Sequence, residues 1–198
     1  ESISPQDLAG ATDRGISRRL IEERGRVFDE GSFEHFVGVY LGFLEERLAD
    51  PGRMVKLLPG VKDCLGGLRG CGGIVTGLLT GNVRRGAEAK LRRIGLHDAF
   101  VEGAFGDDAE DRNLLGPIAI SRLSEKTGTA VQAAHTVVIG DTPKDVACAS
   151  ALGSRCVAVA TGVHGFDELR ACDPWIVTRD LVALSADRRW TDWLNEGC

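Results

Sequence analysis

The sequence predicts an α/β protein, in which a Rossmann-like parallel sheet covered by helices follows a wholly helical N-terminal segment. Three observations carry this. Residues 1–56 place apolar side chains at helical spacing and contain no strand-like run. From residue 57 onward, short continuous apolar runs alternate with helix-length stretches, the pattern of βαβ units whose strands are buried on both faces. After three of these runs comes a cluster of small, hydroxyl-bearing or acidic residues, and an open parallel sheet binds its ligands at those strand ends.

In chain order, Ser4-Pro5 predicts an N-cap followed by proline at the first helical position. Ile16, Leu20 and Ile21 share one face of a second short helix that ends near Gly25. Ser32 is expected to cap a longer helix, in which Phe33, Phe36, Val37, Tyr40, Leu41, Leu44 and Leu48 recur at helical spacing. This aromatic stripe reads as packing, and the helix stops before Asp50-Pro51-Gly52. Pro59-Gly60 opens a helix carrying Val61, Cys64, Leu65 and Leu68. Strands are expected over residues 74–79, 100–105, 136–139, 155–160 and 175–177, with intervening helices over 83–94, 114–127 and 143–152. The predicted domains are therefore a helical one, 1–56, and an α/β core, 57–198.

Composition narrows the function. A chain of 198 residues can bury one core, or a core with a small second domain. The formal net charge of −5 argues against a general nucleic-acid binder, and no apolar run approaches the roughly 20 residues of a membrane span. Six cysteines without a CxxC pair read as buried, reduced thiols of a cytoplasmic protein. The four histidines lie far apart without ligand spacing, which disfavours zinc. The chain begins with Glu1 rather than Met, so an upstream segment is expected. Oligomeric state is not legible.

The chemistry should lie just after the strands. Thr80-Gly81-Asn82 follows the first, and its hydroxyl and helix N-terminus suit either a turn with an N-cap or a phosphate. Arg112 follows the acidic loop after the second, as a salt-bridge partner of Asp108 or Asp111 or as a phosphate clamp. Gly140-Asp141-Thr142-Pro143-Lys144-Asp145 follows the third. Asp141 and Asp145 there are a capping arrangement or hard oxygen ligands for Mg²⁺.

Together these segments resemble the haloacid-dehalogenase-like (HAD) phosphatases. Leu58-Pro59-Gly60-Val61 looks like that family's entry from its helical cap into the core. Leu78-Leu79-Thr80-Gly81-Asn82 is similar to its second motif, and Val138-Ile139-Gly140-Asp141-Thr142-Pro143-Lys144-Asp145 to its fourth, GDxxxD. Asp7-Leu8-Ala9-Gly10-Ala11-Thr12-Asp13 looks like the cap opening of the phosphoglycolate-phosphatase-like branch.

The resemblance implies a Mg²⁺-dependent hydrolase acting on a small phosphorylated metabolite. In it, Thr80, Gly81, Asn82 and Arg112 hold phosphate, Asp141 and Asp145 serve the metal, and Thr80, Arg112 and Asp141 form the catalytic set. Asp7, Thr12, Asp13 and Arg14 are candidate cap-side contacts or solvated helix-end residues. Alternatives on the same fold are a sugar-phosphate mutase, a dehalogenase, or an inactive phosphate- or metal-binding protein. A nucleotide-binding α/β protein is disfavoured, because no P-loop or GxGxxG is present.

Two departures stand out. Arg112 occupies the place where the family's third motif usually has lysine, and the first motif, Asp-x-Asp, does not occur in residues 1–198. By the resemblance the nucleophile then lies upstream of residue 1, on a central strand between the first and third strands predicted here. The chain alone is expected to be inactive, and those two strands should not be hydrogen-bonded to each other.

Overall fold

The computed structural model describes residues 9–52 and 56–197; the predicted cap at Ser4-Pro5 and the candidate Asp7 lie outside them. The helical part consists of α1 (Asp13–Glu22) and α2 (Glu30–Ala49). Thr12 caps α1, its hydroxyl accepting from Gly15 N at 3.1 Å. Asp29, not Ser32, caps α2: its carboxylate accepts from Ser32 N at 2.7 Å, and Ser32 Oγ accepts from Asp29 N at 2.9 Å. Ser32 is the reciprocal partner of this capping box, three residues inside the observed N-cap, so the helix begins about one turn earlier than expected. The aromatic stripe packs as predicted. Phe33 and Leu41 are buried with Phe28, Val37, Tyr40 and Leu44 around Val83, which is part of the core and only 1% exposed.

The core continues through α3 (Val61–Gly70), β1 (Leu78–Leu79), α4 (Arg84–Arg93), β2 (Gly103–Ala104), α5 (Leu115–Thr127) and β3 (Val137–Gly140). It closes with α6 (Pro143–Leu152), β4 (Arg155–Val159), α7 (Phe166–Ala171), β5 (Ile176–Thr178), α8 (Leu181–Leu184) and α9 (Arg188–Gly197). All pairings are parallel, β1 with β2 and β3 with β4 with β5. Among the described residues β1 and β3 are not paired, so the sheet has two parts, ordered β2-β1 and β3-β4-β5. Both β1 and β2 are shorter than their apolar runs. Bonds between the same segments nevertheless run on from Val101 N to Thr76 O (3.0 Å) through Gly106 N to Asn82 O (2.7 Å).

β4 shows why its run is uninterrupted. Val157 and Val159 join Leu68, Ile176, Leu184 and Trp190 on one face, while Cys156 and Ala158 join Val138, Val146, Ala149 and Leu169 on the other. Alternate residues thus enter two different cores. Complete burial of side chains such as Leu169 and Leu184 stabilises the fold by about 1.5–3 kcal/mol each. Leu79 of β1 packs against both the β3–β4 cluster and the cluster of Ala104, Leu115 and Ala119, which ties the two sheet parts together.

Cys64, Cys148, Cys156 and Cys172 are free thiols, and burial pushes Cys156 up to about 12, which keeps it unreactive. Cys71, by contrast, is disulfide-bonded, against the expectation of reduced thiols throughout. No helix among the described residues is long and apolar enough to cross a membrane.

Candidate active site

Three loops leave the carboxyl ends of β1, β2 and β3, and the segment Gly10–Arg14 lies across all of them. Asp13 N donates to Gly81 O at 2.6 Å, and Arg14 N donates to Gly106 O at 3.1 Å. Asp13 Oδ2 accepts from Val83 N at 2.8 Å, and Thr12 Oγ1 donates to Glu110 O at 2.7 Å. The approach is close enough to require glycine. A Cβ at Gly81 would lie 1.9 Å from Ala11 O, and one at Gly106 would lie 1.7 Å from Gly81 O.

This seam bounds a cleft of about 400 Å³ lined by Thr80, Gly81, Asn82, Arg112, Asp141 and Asp145, together with Asp13. The structure therefore gathers the sequence-predicted loop residues at one rim. It does not bring all the cap-side candidates there. Thr12 is a buried N-cap, 1% exposed, rather than a solvated one. Arg14 turns away to pair with Glu30, with its guanidinium 4.7 Å from the centre of the Phe33 ring.

Arg112 and Asp145 form the buried ion pair of the site. The ordinary partners expected for Arg112 are otherwise engaged: Asp108 is paired with Arg122, and Asp111 caps the turn 112–114. Arg112 Nη1 also donates to Gly10 O at 3.2 Å, while its buried Nε has no partner among the described residues.

Asp145 is fully engaged. Oδ1 takes Arg112, and Oδ2 accepts from Asp141 N (3.1 Å), Thr142 N (3.0 Å) and Thr142 Oγ1 (2.7 Å). It completes a capping box with Thr142, and Pro143 stands at the start of α6. Asp141 is different. Its carboxylate is half-buried, and burial followed by the neighbouring Asp145 pushes its pKa up, against the opposing pull of Arg112 and His164. A carboxylate raised in this way is one that a cation would stabilise.

No group of three or more His, Cys, Asp or Glu among the described residues could hold a metal. The donor set suits Mg²⁺ nonetheless, because that ion takes one or two carboxylates and completes its shell with water and phosphate oxygens.

Lys90 is not among the candidates read from the sequence. The structure brings it to the rim from inside α4, where its ammonium donates to Asn82 Oδ1 and stands 5.9 Å from the centre of the Tyr40 ring. The available signal was that Lys90 lies one turn beyond Gly86 on α4, whose N-cap follows Asn82 directly. Gly86 leaves room for Tyr40, whose ring carbon would lie 3.1 Å from an added Cβ.

A family model described as HAD-hydrolase-like matches residues 115–184. A phosphoglycolate phosphatase of Rhodospirillum rubrum is 32% identical over 217 residues, spanning 95% of this chain and 85% of the relative. The chain belongs to the haloacid-dehalogenase-like hydrolases. A second HAD relative, a phosphoglycolate phosphatase of Synechococcus elongatus, is 31% identical over 144 residues. That match takes in 72% of this chain and 65% of the relative, so the chain spans just under two thirds of its length.

Solved structures agree on the HAD fold. That of a predicted phosphoglycolate phosphatase from Haemophilus somnus superposes with a TM-score of 0.65 at 18% identity, covering 89% of this chain and 77% of that one. A β-phosphoglucomutase of Clostridium difficile gives a TM-score of 0.65 at 15% identity, covering 94% and 78%. The HAD assignment fixes the architecture as a Rossmann-like parallel core with a helical cap.

Proposed function

We propose that this chain supplies the cap (1–56) and most of the core (57–198) of a Mg²⁺-dependent phosphatase that hydrolyses a small phosphomonoester through an aspartyl-phosphate. The observation that carries the reading is the meeting of Thr80, Arg112 and Asp141, from three different strand ends, on one cleft. A hydroxyl, a guanidinium and a metal-holding carboxylate around one space are what a transferring phosphoryl group requires. Phosphoglycolate is the favoured substrate, by analogy with the named relatives.

In this reading the Thr80 hydroxyl and the amide of Gly81 bind the phosphoryl oxygens at the N-terminal end of α4, and Asn82, which donates to Thr80 Oγ1, supports that hydroxyl. Arg112 offsets the charge that develops in the transition state, and its unpartnered Nε is a donor that an anion's oxygen would satisfy. Asp141 holds Mg²⁺. Asp145, with every oxygen engaged, positions Asp141 and Arg112 rather than meeting the metal directly. When bound, Mg²⁺ supplies Lewis-acid polarisation of the phosphoryl oxygen. The cap excludes water and selects the substrate.

The nucleophilic aspartate belongs to a strand seated between β1 and β3, on a segment preceding residue 1. Among the described residues β1 pairs only with β2 and β3 only with β4, which supports this. Without that strand the chain is expected to be inactive.

The test is a phosphatase assay, with and without Mg²⁺, on a protein extended upstream. Asp141→Asn should lower the rate by about a hundredfold or more, since the polarisation lost is worth several kcal/mol. Full activity in that variant would remove the metal assignment.

A further inference from the structure

A chain of hydrogen bonds that begins outside the cleft ends on Thr80. The ammonium of Lys90 has hydrogens to give and no lone pair, so the Asn82 side chain must turn its oxygen towards it. Tyr40 OH, from the cap helix α2, makes a second and longer contact to the same oxygen at 3.4 Å. With Oδ1 fixed on that side, Asn82 Nδ2 donates to Thr80 Oγ1 at 3.0 Å, and Asn82 N donates to the same oxygen at 3.2 Å. A hydroxyl accepts through two lone pairs and donates one hydrogen. Both accepting positions are filled from the Asn82 side. The remaining hydrogen has no protein acceptor among the described residues, and Thr80 lines the cleft.

We propose that Lys90 and Tyr40 are positioning residues that lock the Asn82 amide and thereby commit the Thr80 hydroxyl to donate into the phosphate site. This rests on the reading of Thr80 as a phosphate ligand. It adds two residues, one of them on the cap, that act on that ligand without lining the cleft. Each link polarises the next in one direction, from the ammonium through the amide to the hydroxyl. Because Tyr40 stands on α2, the cap helix takes part in setting the donor.

Binding of inorganic phosphate to the full chain in the presence of Mg²⁺, followed by calorimetry, tests this. Lys90→Met should weaken phosphate about tenfold, the scale of losing one oriented donor to a charged group, and Lys90→Arg should restore most of the loss. The decisive comparison is the Thr80→Val background, where no hydroxyl remains to orient and Lys90→Met should cost nothing further. An equal loss in both backgrounds would mean that Lys90 acts by long-range charge alone and would overturn the relay. Unchanged binding by Lys90→Met would overturn it too. Tyr40→Phe is the second variant, usable if Lys90→Met fails to fold. It should weaken phosphate about twofold in the wild-type background and not at all on Thr80→Val, and equal losses there again defeat the relay. A wild-type chain that binds no phosphate removes the site reading itself, and the relay with it.

Discussion

Arg112 and Asp145 are 33 residues apart in sequence and form one ion pair at the rim, with side chains only 11% and 5% exposed. The pair joins the loop after β2 to the first turn of α6, and through Gly10 O it also reaches the segment that enters α1. Arg112 therefore has a structural function that does not depend on any ligand.

Removing the guanidinium leaves Asp145 buried with its charge uncompensated. Arg112→Met is expected to destabilise the chain by about 3 kcal/mol, the usual cost of breaking one side of a buried pair. Urea unfolding should show the loss as a lower midpoint at unchanged slope. Arg112→Lys should recover only part of it, because an ammonium cannot reproduce the forked contacts to Asp145 and Gly10. A midpoint within error of wild type for Arg112→Met would show that the pair contributes nothing.

The residues of this rim differ in how far the sequence reveals them. Thr80, Arg112 and Asp141 were legible because each follows an apolar run, and parallel sheets collect such positions at one end. The partner of Arg112 was not legible, since Asp108 and Asp111 are nearer in sequence and only the fold shows both already engaged. Lys90 was hidden for a related reason: it lies mid-helix, and a long side chain reaches the rim two turns away from Asn82. Ser32 misled by one turn because a capping box places hydroxyl and carboxylate in reciprocal roles, so either residue type can hold either position. β1 and β2 read as longer strands because apolar content marks burial, whereas a strand also needs partners on its edges. The disulfide at Cys71 left no CxxC trace.

Glycine positions at the seam provide a second, contrasting prediction. Gly81→Ala would drive a methyl group to 1.9 Å from Ala11 O, and the obstacle is backbone rather than a movable side chain. The loop must separate from the segment entering α1, at a cost of about 1–3 kcal/mol or more. Gly38→Ala, in the interior of α2 with nothing within 4 Å of the added carbon, should instead stabilise by about 0.5–1 kcal/mol. Thermal melts of the two variants should move in opposite directions; a stabilising Gly81→Ala would contradict the packing of the seam.

Asp13 predicts a pH dependence. Burial raises its pKa, with Asp107 adding to the rise and Val83 N and Lys90 opposing it. A carboxyl that holds its proton more tightly when folded favours the folded state at low pH. That contribution is present below the ordinary carboxylate range and is lost as pH rises through the higher folded value. Asp13→Asn can keep an oxygen for Val83 N while removing the titration. Its stability relative to wild type should therefore increase as pH climbs from about 3 to 7, as measured by urea unfolding at each pH. A difference independent of pH would show that Asp13 titrates normally.

Magnesium linkage provides the last prediction. Asp141 carries a half-buried carboxylate crowded by Asp145, and a bound cation relieves both penalties in the folded state alone. Mg²⁺ should therefore stabilise the wild-type chain against unfolding, by about 2.7 kcal/mol at a concentration a hundredfold above its dissociation constant. Asp141→Asn removes the charge that attracts the ion, and also the repulsion that raises the wild-type carboxyl. It should melt at or above the wild-type temperature without Mg²⁺, and gain little when the ion is added. Asp145→Asn should behave in the opposite way. It weakens the pair with Arg112 and the hold on Asp141 N and Thr142, so it lowers the melting temperature even before Mg²⁺ is present. An equal Mg²⁺-induced shift in Asp141→Asn and wild type would place the ion elsewhere, and would leave Asp141 as a strained carboxylate without a cation.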